Sequence, residues 1–229
     1  VRQRYTDAIP NRETSTTTTK WTAKWNWSDI RACLVTGAGF FMAAYDLFAM
    51  NLVSLMLAYV YRSKQKELTE NEELRLKVSA QIGAIIGQVL FGYLADRYGR
   101  KRMYGLELML SIGATISSIL VGDSPTVTIF GSLIFYRFIL GIGVGGDYPL
   151  SAVITAEYFS QSENRGTLMA VVFAQQGLGI LCAALVSTSM LAAFRSSIDK
   201  NPNSLDYVWR LVLGFGAIPG GEPEMAKKI

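Results

Sequence analysis

Long apolar stretches alternate with short polar ones along the chain. Residues 32–61 carry a single charge, Asp46; residues 78–95 carry none; residues 103–122 carry only Glu107; residues 126–154 carry Arg137 and Asp147; residues 167–194 carry none. A bilayer core about 30 Å thick is crossed by roughly 20 apolar residues in a helix, so each run predicts one spanning helix. A sixth run starts near Val208 and fades at Pro219-Gly220-Gly221. The pattern predicts an all-α membrane protein, multi-pass, with five full spans and a truncated sixth. The first, fourth and fifth runs exceed one bilayer thickness, which tilting or projection accommodates.

The polar stretches read as connections. Residues 62–77 mix Arg62, Lys64 and Lys66 with Glu67, Glu70, Glu72 and Glu73; Asp123-Ser124-Pro125 is a tight turn; residues 157–166 and 195–207 are mixed loops. Basic residues favour the cytoplasmic side. Arg97, Arg100, Lys101 and Arg102 put the second connection inside, and with it a tail carrying Arg2, Arg4, Arg12, Lys20 and Lys24. The basic residues of 62–77 then fall outside, against the same rule. The tail, residues 1–28, is polar and includes Thr16 to Thr19; it reads as a disordered cytoplasmic segment. It has no apolar core of the kind a cleavable signal peptide needs. Trp21, Trp25 and Trp27 suit the membrane–water interface. Asn26-Trp27-Ser28 fits a glycosylation acceptor, but a cytosolic tail is not modified. The expected layout is this tail, a transmembrane unit over residues 29–219, and a short C-terminal tail over residues 220–229.

Composition narrows the chemistry. Of 229 residues 17% are charged, against about 25% in an average soluble domain, and the net charge is +4 with no histidine. Histidine-based metal sites, general bases and triads are excluded. Cys33 and Cys182 both lie in apolar runs and read as small packing residues. No nucleophile–base pair can be assembled, so an enzyme is not expected, nor a metal or cofactor. No long basic tract suggests nucleic acid; the partner implied is the lipid bilayer.

Gly141-Ile-Gly143-Val-Gly145-Gly146 fits the dinucleotide fingerprint, but that fingerprint needs a preceding strand, and these glycines sit inside an apolar span. Close helix packing is the better account, since small residues let backbones approach in lipid. Gly83-x-x-x-Gly87 carries the same logic in the second span. Ionisable groups inside the bilayer are costly and mark pathways; Asp46, Glu107, Arg137 and Asp147 are those groups. Arg137 and Asp147 stand ten residues apart, about 15 Å along a helix, so they cannot touch. Asp46 on the first helix is the partner expected for Arg137. Glu107, five residues past Arg102, is expected to be shallow.

Several motifs carry a family resemblance. Gly92-Tyr-Leu-Ala-Asp96-Arg97-Tyr-Gly99-Arg100-Lys101-Arg102 resembles the loop between helices two and three of the major facilitator superfamily. Gly145-Gly146-Asp147-Tyr148-Pro149-Leu150-Ser151 resembles the fourth-helix signature of that superfamily's phosphate–proton symporters. Gly39-Phe40-Phe41, Ala44-Tyr45-Asp46-Leu47-Phe48, Arg137-Phe138 with Gly141, and Trp209-Arg210-Leu211 with Gly214-Phe215-Gly216 agree in order and spacing. The resemblance covers residues 30–219. It implies the N-terminal six-helix bundle of a twelve-helix transporter, with the C-terminal half as a missing partner. Ala43 stands where family members carry an acid, which leaves Asp46 alone in that run.

What the resemblance implies is proton-coupled import of inorganic phosphate by alternating access, in a membrane that is the plasma membrane. Asp147, Tyr148 and Gln176 would bind substrate, with Gln175 adjacent as the alternative to Gln176. Asp46, Glu107, Arg137 and Asp147 would couple protons. An ionised Asp147 repels phosphate, whereas a protonated one donates a hydrogen bond, so proton and anion would bind together. Gly92, Asp96, Arg97, Gly99, Arg100 and Lys101 would form a charge latch that gates the change of state, with Gly99 taking the positive φ of a tight turn. Two other readings stay open: a transporter of another solute such as an organic acid or sugar, and a non-transporting phosphate sensor or regulatory half.

Overall fold

The computed structural model describes residues 27–62, 67–122, 128–158 and 165–217. They form α1 (Trp27–Tyr61), α2 (Glu70–Tyr98), α3 (Arg100–Leu120), α4 (Ile129–Tyr158), α5 (Arg165–Ala193), a short α6 (Arg195–Lys200), a 3₁₀ turn (Pro202–Ser204) and α7 (Leu205–Ala217). Helices α1 to α5 are long and apolar enough to cross a membrane. The expected five spans are therefore present, and α7 follows where the sixth run begins. Almost all of the expected tail, the Asp123-Ser124-Pro125 turn and residues 218–229 lie outside the described residues.

Three expected loops are partly helical, for one physical reason: charge ends a membrane span but does not end a helix. Helix α2 starts at Glu70, not near residue 78. Glu70, Glu72 and Glu73 occupy its first turn, where carboxylates oppose the positive helix end. Thr69 caps it, and the Glu72 carboxylate accepts from the Thr69 main-chain N–H at 3.4 Å, the return half of a capping box. Lys77 pairs with Glu73 one turn back, and Arg62 reaches Glu72 across the connection. Helix α4 likewise runs on to Tyr158, α5 begins at Arg165, and residues 195–207 hold α6 and the 3₁₀ turn.

The turn between α2 and α3 is a single residue, Gly99, at φ +94°. A side chain is rarely tolerated there. This is the turn expected of Gly99, and it lets two long helices reverse direction without a loop.

Helix α1 is central: two thirds of its apolar window is buried, against 17% for α5 and 28% for α2. The surface carries Ile85, Val89, Met109, Leu120, Phe135 and Leu185. Such apolar exposure suits a lipid environment and not water. The main core fills the space between α1, α4 and α7 with Met50, Val53, Leu57, Leu133, Val208 and Trp209. Helices α2 and α4 pack most extensively, followed by α1 with α5. On α2, Cβ atoms at Gly83 and Gly87 would strike the carbonyls of Phe138 and Ile142; on α4, Cβ atoms at Gly141 and Gly145 would strike those of Ala80 and Ala84. The expected glycine-mediated approach is therefore between these two helices.

Candidate functional site

The four intramembrane charges of the sequence are all buried: Asp46 at 1% exposed, Glu107 at 1%, Arg137 at 2% and Asp147 at 3%. Arg137 thus turns inward instead of reaching for an interface. Glu107 follows the α2–α3 turn closely but is enclosed all the same. Its carboxylate lies over Gly146, whose missing Cβ would come within 2.6 Å of Glu107 Oε2.

Three acidic residues come to one void. Asp46 from α1, Glu107 from α3 and Asp147 from α4 line one very small void, together with Gly39, Met42, Ala43, Ser111, Gly143 and Val144. Glycine makes this meeting possible: a Cβ on Gly39 would overlap the Asp147 carboxylate, and one on Gly143 would overlap Ser111 Oγ. Ala43, at 1% exposed, faces the same space. Asp147 Oδ1 accepts from Ser151 Oγ at 2.8 Å, one turn on. Among the described residues Asp147 Oδ2, both oxygens of Asp46 and both of Glu107 have no hydrogen-bond partner. Unpaired carboxylates at such depth are expensive. Pro149 lies inside α4; it has no N–H to offer the carbonyl one turn back at Gly145.

Arg137 reaches Asp46 as expected, but by an unexpected atom. Its Nη1 donates to the main-chain oxygen of Asp46 at 3.1 Å, and no hydrogen bond joins it to the Asp46 carboxylate among the described residues. The carboxylate also sits over Gly216 of α7, where a Cβ would overlap Oδ1. Arg137 faces a second and larger cavity of ≈ 250 Å³ between α1, α2, α4 and α5, which Gln176 also lines. Asp46 therefore lines an acidic void and, through its carbonyl, holds the arginine of a cationic cavity.

The three residues expected to hold substrate do not converge. Asp147 lines the acidic void and Gln176 the larger cavity. Tyr148, next to Asp147, turns away and packs edge-on against Phe40, ring centroids 5.3 Å apart. Gln175 is buried and donates from Nε2 to the Cys33 carbonyl at 2.7 Å, tying α5 to α1. Between the two glutamines, Gln176 is the one left facing open space.

At the turn between α2 and α3, Arg100 pairs with Glu157 at the end of α4. Asp96 is exposed and forms no ion pair among the described residues. Arg97 Nη1 donates to Tyr93 OH at 3.3 Å. A Cβ on Gly92 would meet nothing, and the side chain of Lys101 lies outside what is described. Sequence reasoning missed Glu157, which it assigned to a loop, and Ser151, which the one-turn spacing from Asp147 signals. Among the described residues no group of three His, Cys, Asp or Glu side chains could hold a metal ion.

A family profile described as sugar (and other) transporter matches residues 32–221. A repressible high-affinity phosphate permease of Neurospora crassa is 42% identical over 208 residues, covering 86% of this chain and 36% of its own length. An inorganic phosphate transporter of Saccharomyces cerevisiae is 37% identical over 204 residues, covering 85% and 34%. A low affinity inorganic phosphate transporter of Lotus japonicus is 39% identical over 213 residues, covering 86% and 40%. The chain thus spans between 34% and 40% of the length of these curated relatives. Among solved structures, the xylose transporter XylE from E. coli in a partially occluded inward-open conformation superposes with a TM-score of 0.72 at 23% identity, covering 88% of this chain and 48% of that one. Its inward-open form gives 0.70 at 24%. These likenesses carry the fold, about half of XylE.

Proposed function

Because the chain belongs to the sugar (and other) transporter family, we propose that it forms one wall of a proton-coupled inorganic phosphate transporter of the plasma membrane. The observation that carries this reading is the gathering of Asp46, Glu107 and Asp147 about one void, a step from a cavity that holds Arg137. Carboxyl groups buried without partners take up and release protons as their surroundings change. Arg137, held at the Asp46 main chain, makes the neighbouring compartment attractive to an anion. A proton on Asp147 removes the charge that would repel phosphate and supplies a donor in its place. Anion and proton then load together and leave together. The resemblance of the sequence to phosphate relatives at 37% to 42% identity supports phosphate as the anion.

In this reading Asp46, Glu107, Arg137 and Asp147 couple protons, while Asp147, Tyr148 and Gln176 contact the anion. Tyr148 would have to leave the Phe40 ring to do so. Gly92, Asp96, Arg97, Gly99, Arg100 and Lys101 gate the exchange between states, Arg100 by letting go of Glu157. A second six-helix half supplies the opposite wall, and the two rock about a midplane site.

Proteoliposomes carrying this chain, alone and together with the remaining length of the Neurospora relative, test the reading. Radiolabelled phosphate uptake should rise when the outside is made acidic, and arsenate should compete where xylose does not. Asp147→Asn should abolish the acid-driven component. Full pH dependence in Asp147→Asn would remove the proton role. Competition by xylose in place of arsenate would remove phosphate.

A further inference from the structure

The larger cavity holds more than the sequence reading gave it. Its polar lining consists of Lys77 and Gln81 from α2, Asn51 from α1, Arg137 from α4 and Gln176 from α5, over a floor that includes Leu47, Phe48 and Ile180. No carboxylate lines it among the described residues. Two cations and three amides converge on ≈ 250 Å³, somewhat below the ~300 Å³ at which sites for drug-sized ligands begin. That is a space for a small ion with some of its water. The guanidinium is held from behind: Nη1 is spent on the Asp46 carbonyl, while the buried Nε has no acceptor among the described residues. An arginine enclosed with a free N–H is a site lacking its acceptor.

Lys77 completes the arrangement. Its ammonium pairs with Glu73 on the outer turn of the same helix, with side-chain exposures of 36% and 42%. So exposed a pair is weak, and Lys77 also lines the cavity. The lysine can therefore exchange a carboxylate on the rim for an anion inside. We propose that this cavity is an oxyanion vestibule, in which Lys77 and Arg137 receive a tetrahedral anion of the phosphate class with amide donors from Asn51, Gln81 and Gln176, and from which Glu73 holds Lys77 back while it is empty. Lys77, Asn51 and Gln81 thereby gain a binding role. The vestibule is separate from the carboxyl void: the two share no lining residue, and the link between them is the hydrogen bond from Arg137 to the Asp46 carbonyl. The inference rests on the phosphate reading for the identity of the anion, not for the existence of the site.

The test is equilibrium binding of inorganic phosphate, and separately of sulfate, to the full chain purified in detergent, with thermal melting as a check on folding. Lys77→Gln should weaken binding about tenfold, the worth of one charge-assisted hydrogen bond, and reduce its dependence on salt. Lys77→Arg should retain most of the affinity. Glu73→Gln should tighten binding, because it releases Lys77; a pair that serves only to hold α2 together predicts no gain. Phosphate binding unchanged in Lys77→Gln, or weakened by Glu73→Gln, overturns the vestibule and leaves the phosphate reading standing. Lys77-dependent binding of sulfate with none of phosphate upholds the vestibule and removes the phosphate reading. Wild-type chain that binds neither anion overturns the vestibule.

Discussion

Asp206 shows how a single carboxylate acts here. It accepts from Tyr61 OH at 2.6 Å, from Trp209 Nε1 at 2.9 Å and from Arg210 Nε at 2.9 Å. Arg210 also bonds the Ile119 carbonyl at the end of α3. Asp206 just ahead of the apolar run of α7 therefore ties α7 to α1, and the Arg210 it holds ties α7 to α3. Burial works to raise its pKa, but the hydrogen bonds from Arg210 and Tyr61 and the charge of Arg210 prevail and hold it below the ordinary value. The folded chain then gives up this proton more readily than the unfolded chain. The stabilisation is complete above about pH 3.9, the ordinary aspartate value, and is lost as pH falls through the lower folded-state pKa. Asp206→Asn should cost about 1–3 kcal/mol at pH 7, read as a lower melting temperature in detergent. The deficit should shrink in acid. At this scale the sequence named the buried charges but not their partners. Residue type gives no sign that Arg137 would choose the Asp46 carbonyl over its carboxylate. Nor does it show that Tyr148 would turn from Asp147 to Phe40, because one residue's step around a helix is about 100° and the neighbouring helix decides what each face meets.

The helices were legible where periodicity and glycine spacing spoke, and illegible where charge masked them. Five spans follow from runs of apolar residues, and close helix packing from Gly83, Gly87, Gly141 and Gly145, although which helices they bring together does not. The first turns of α2 were hidden because its glutamates look like a loop to a hydropathy reading. The spacing of Thr69 and Glu72 is a capping signature that a search for helix starts would have found. The glycine contact makes a sharp expectation. A Cβ on Gly145 would meet the Ala84 main chain, which no rotamer change relieves, so α2 and α4 must separate. Gly145→Ala should destabilise by about 1–3 kcal/mol, as overpacking does. Gly113, in the middle of α3, has nothing within reach of an added Cβ. Gly113→Ala should be neutral or stabilising by up to about 1 kcal/mol. Melting curves of the two variants side by side separate packing from propensity; equal effects would mean the close approach of α2 and α4 contributes nothing.

The whole molecule has an order that no single motif carries. Exchange α1, α2 and α3 with α4, α5 and α7, and the set of packed helix pairs maps onto itself: α1 with α5 becomes α4 with α2, α3 with α4 becomes α7 with α1, and α2 with α3 becomes α5 with α7. With α7 taken as the start of a sixth crossing, each unit crosses three times, an odd number, so the second must enter the membrane from the side opposite the first. The described helices therefore fall into two three-helix units of opposite entry with matching contacts, an order that hydropathy alone could not reveal. The division into an acidic void and a cationic cavity was equally out of reach, since it depends on which flank of α1 each neighbour covers. The inversion fixes a labelling pattern once the basic turn around Gly99 is placed on the cytoplasmic side. With Cys33 and Cys182 replaced by serine, Glu70→Cys after α1 should react with an impermeant maleimide in intact cells. Tyr98→Cys, 55% exposed in the wild-type tyrosine, should react only after permeabilisation. Four crossings separate Glu70 from Asn203, so Asn203→Cys should label from outside like Glu70→Cys. Labelling of Asn203→Cys only in permeabilised cells, with Glu70→Cys outside, would mean an odd number of crossings between them, and the two units could not be inverted copies.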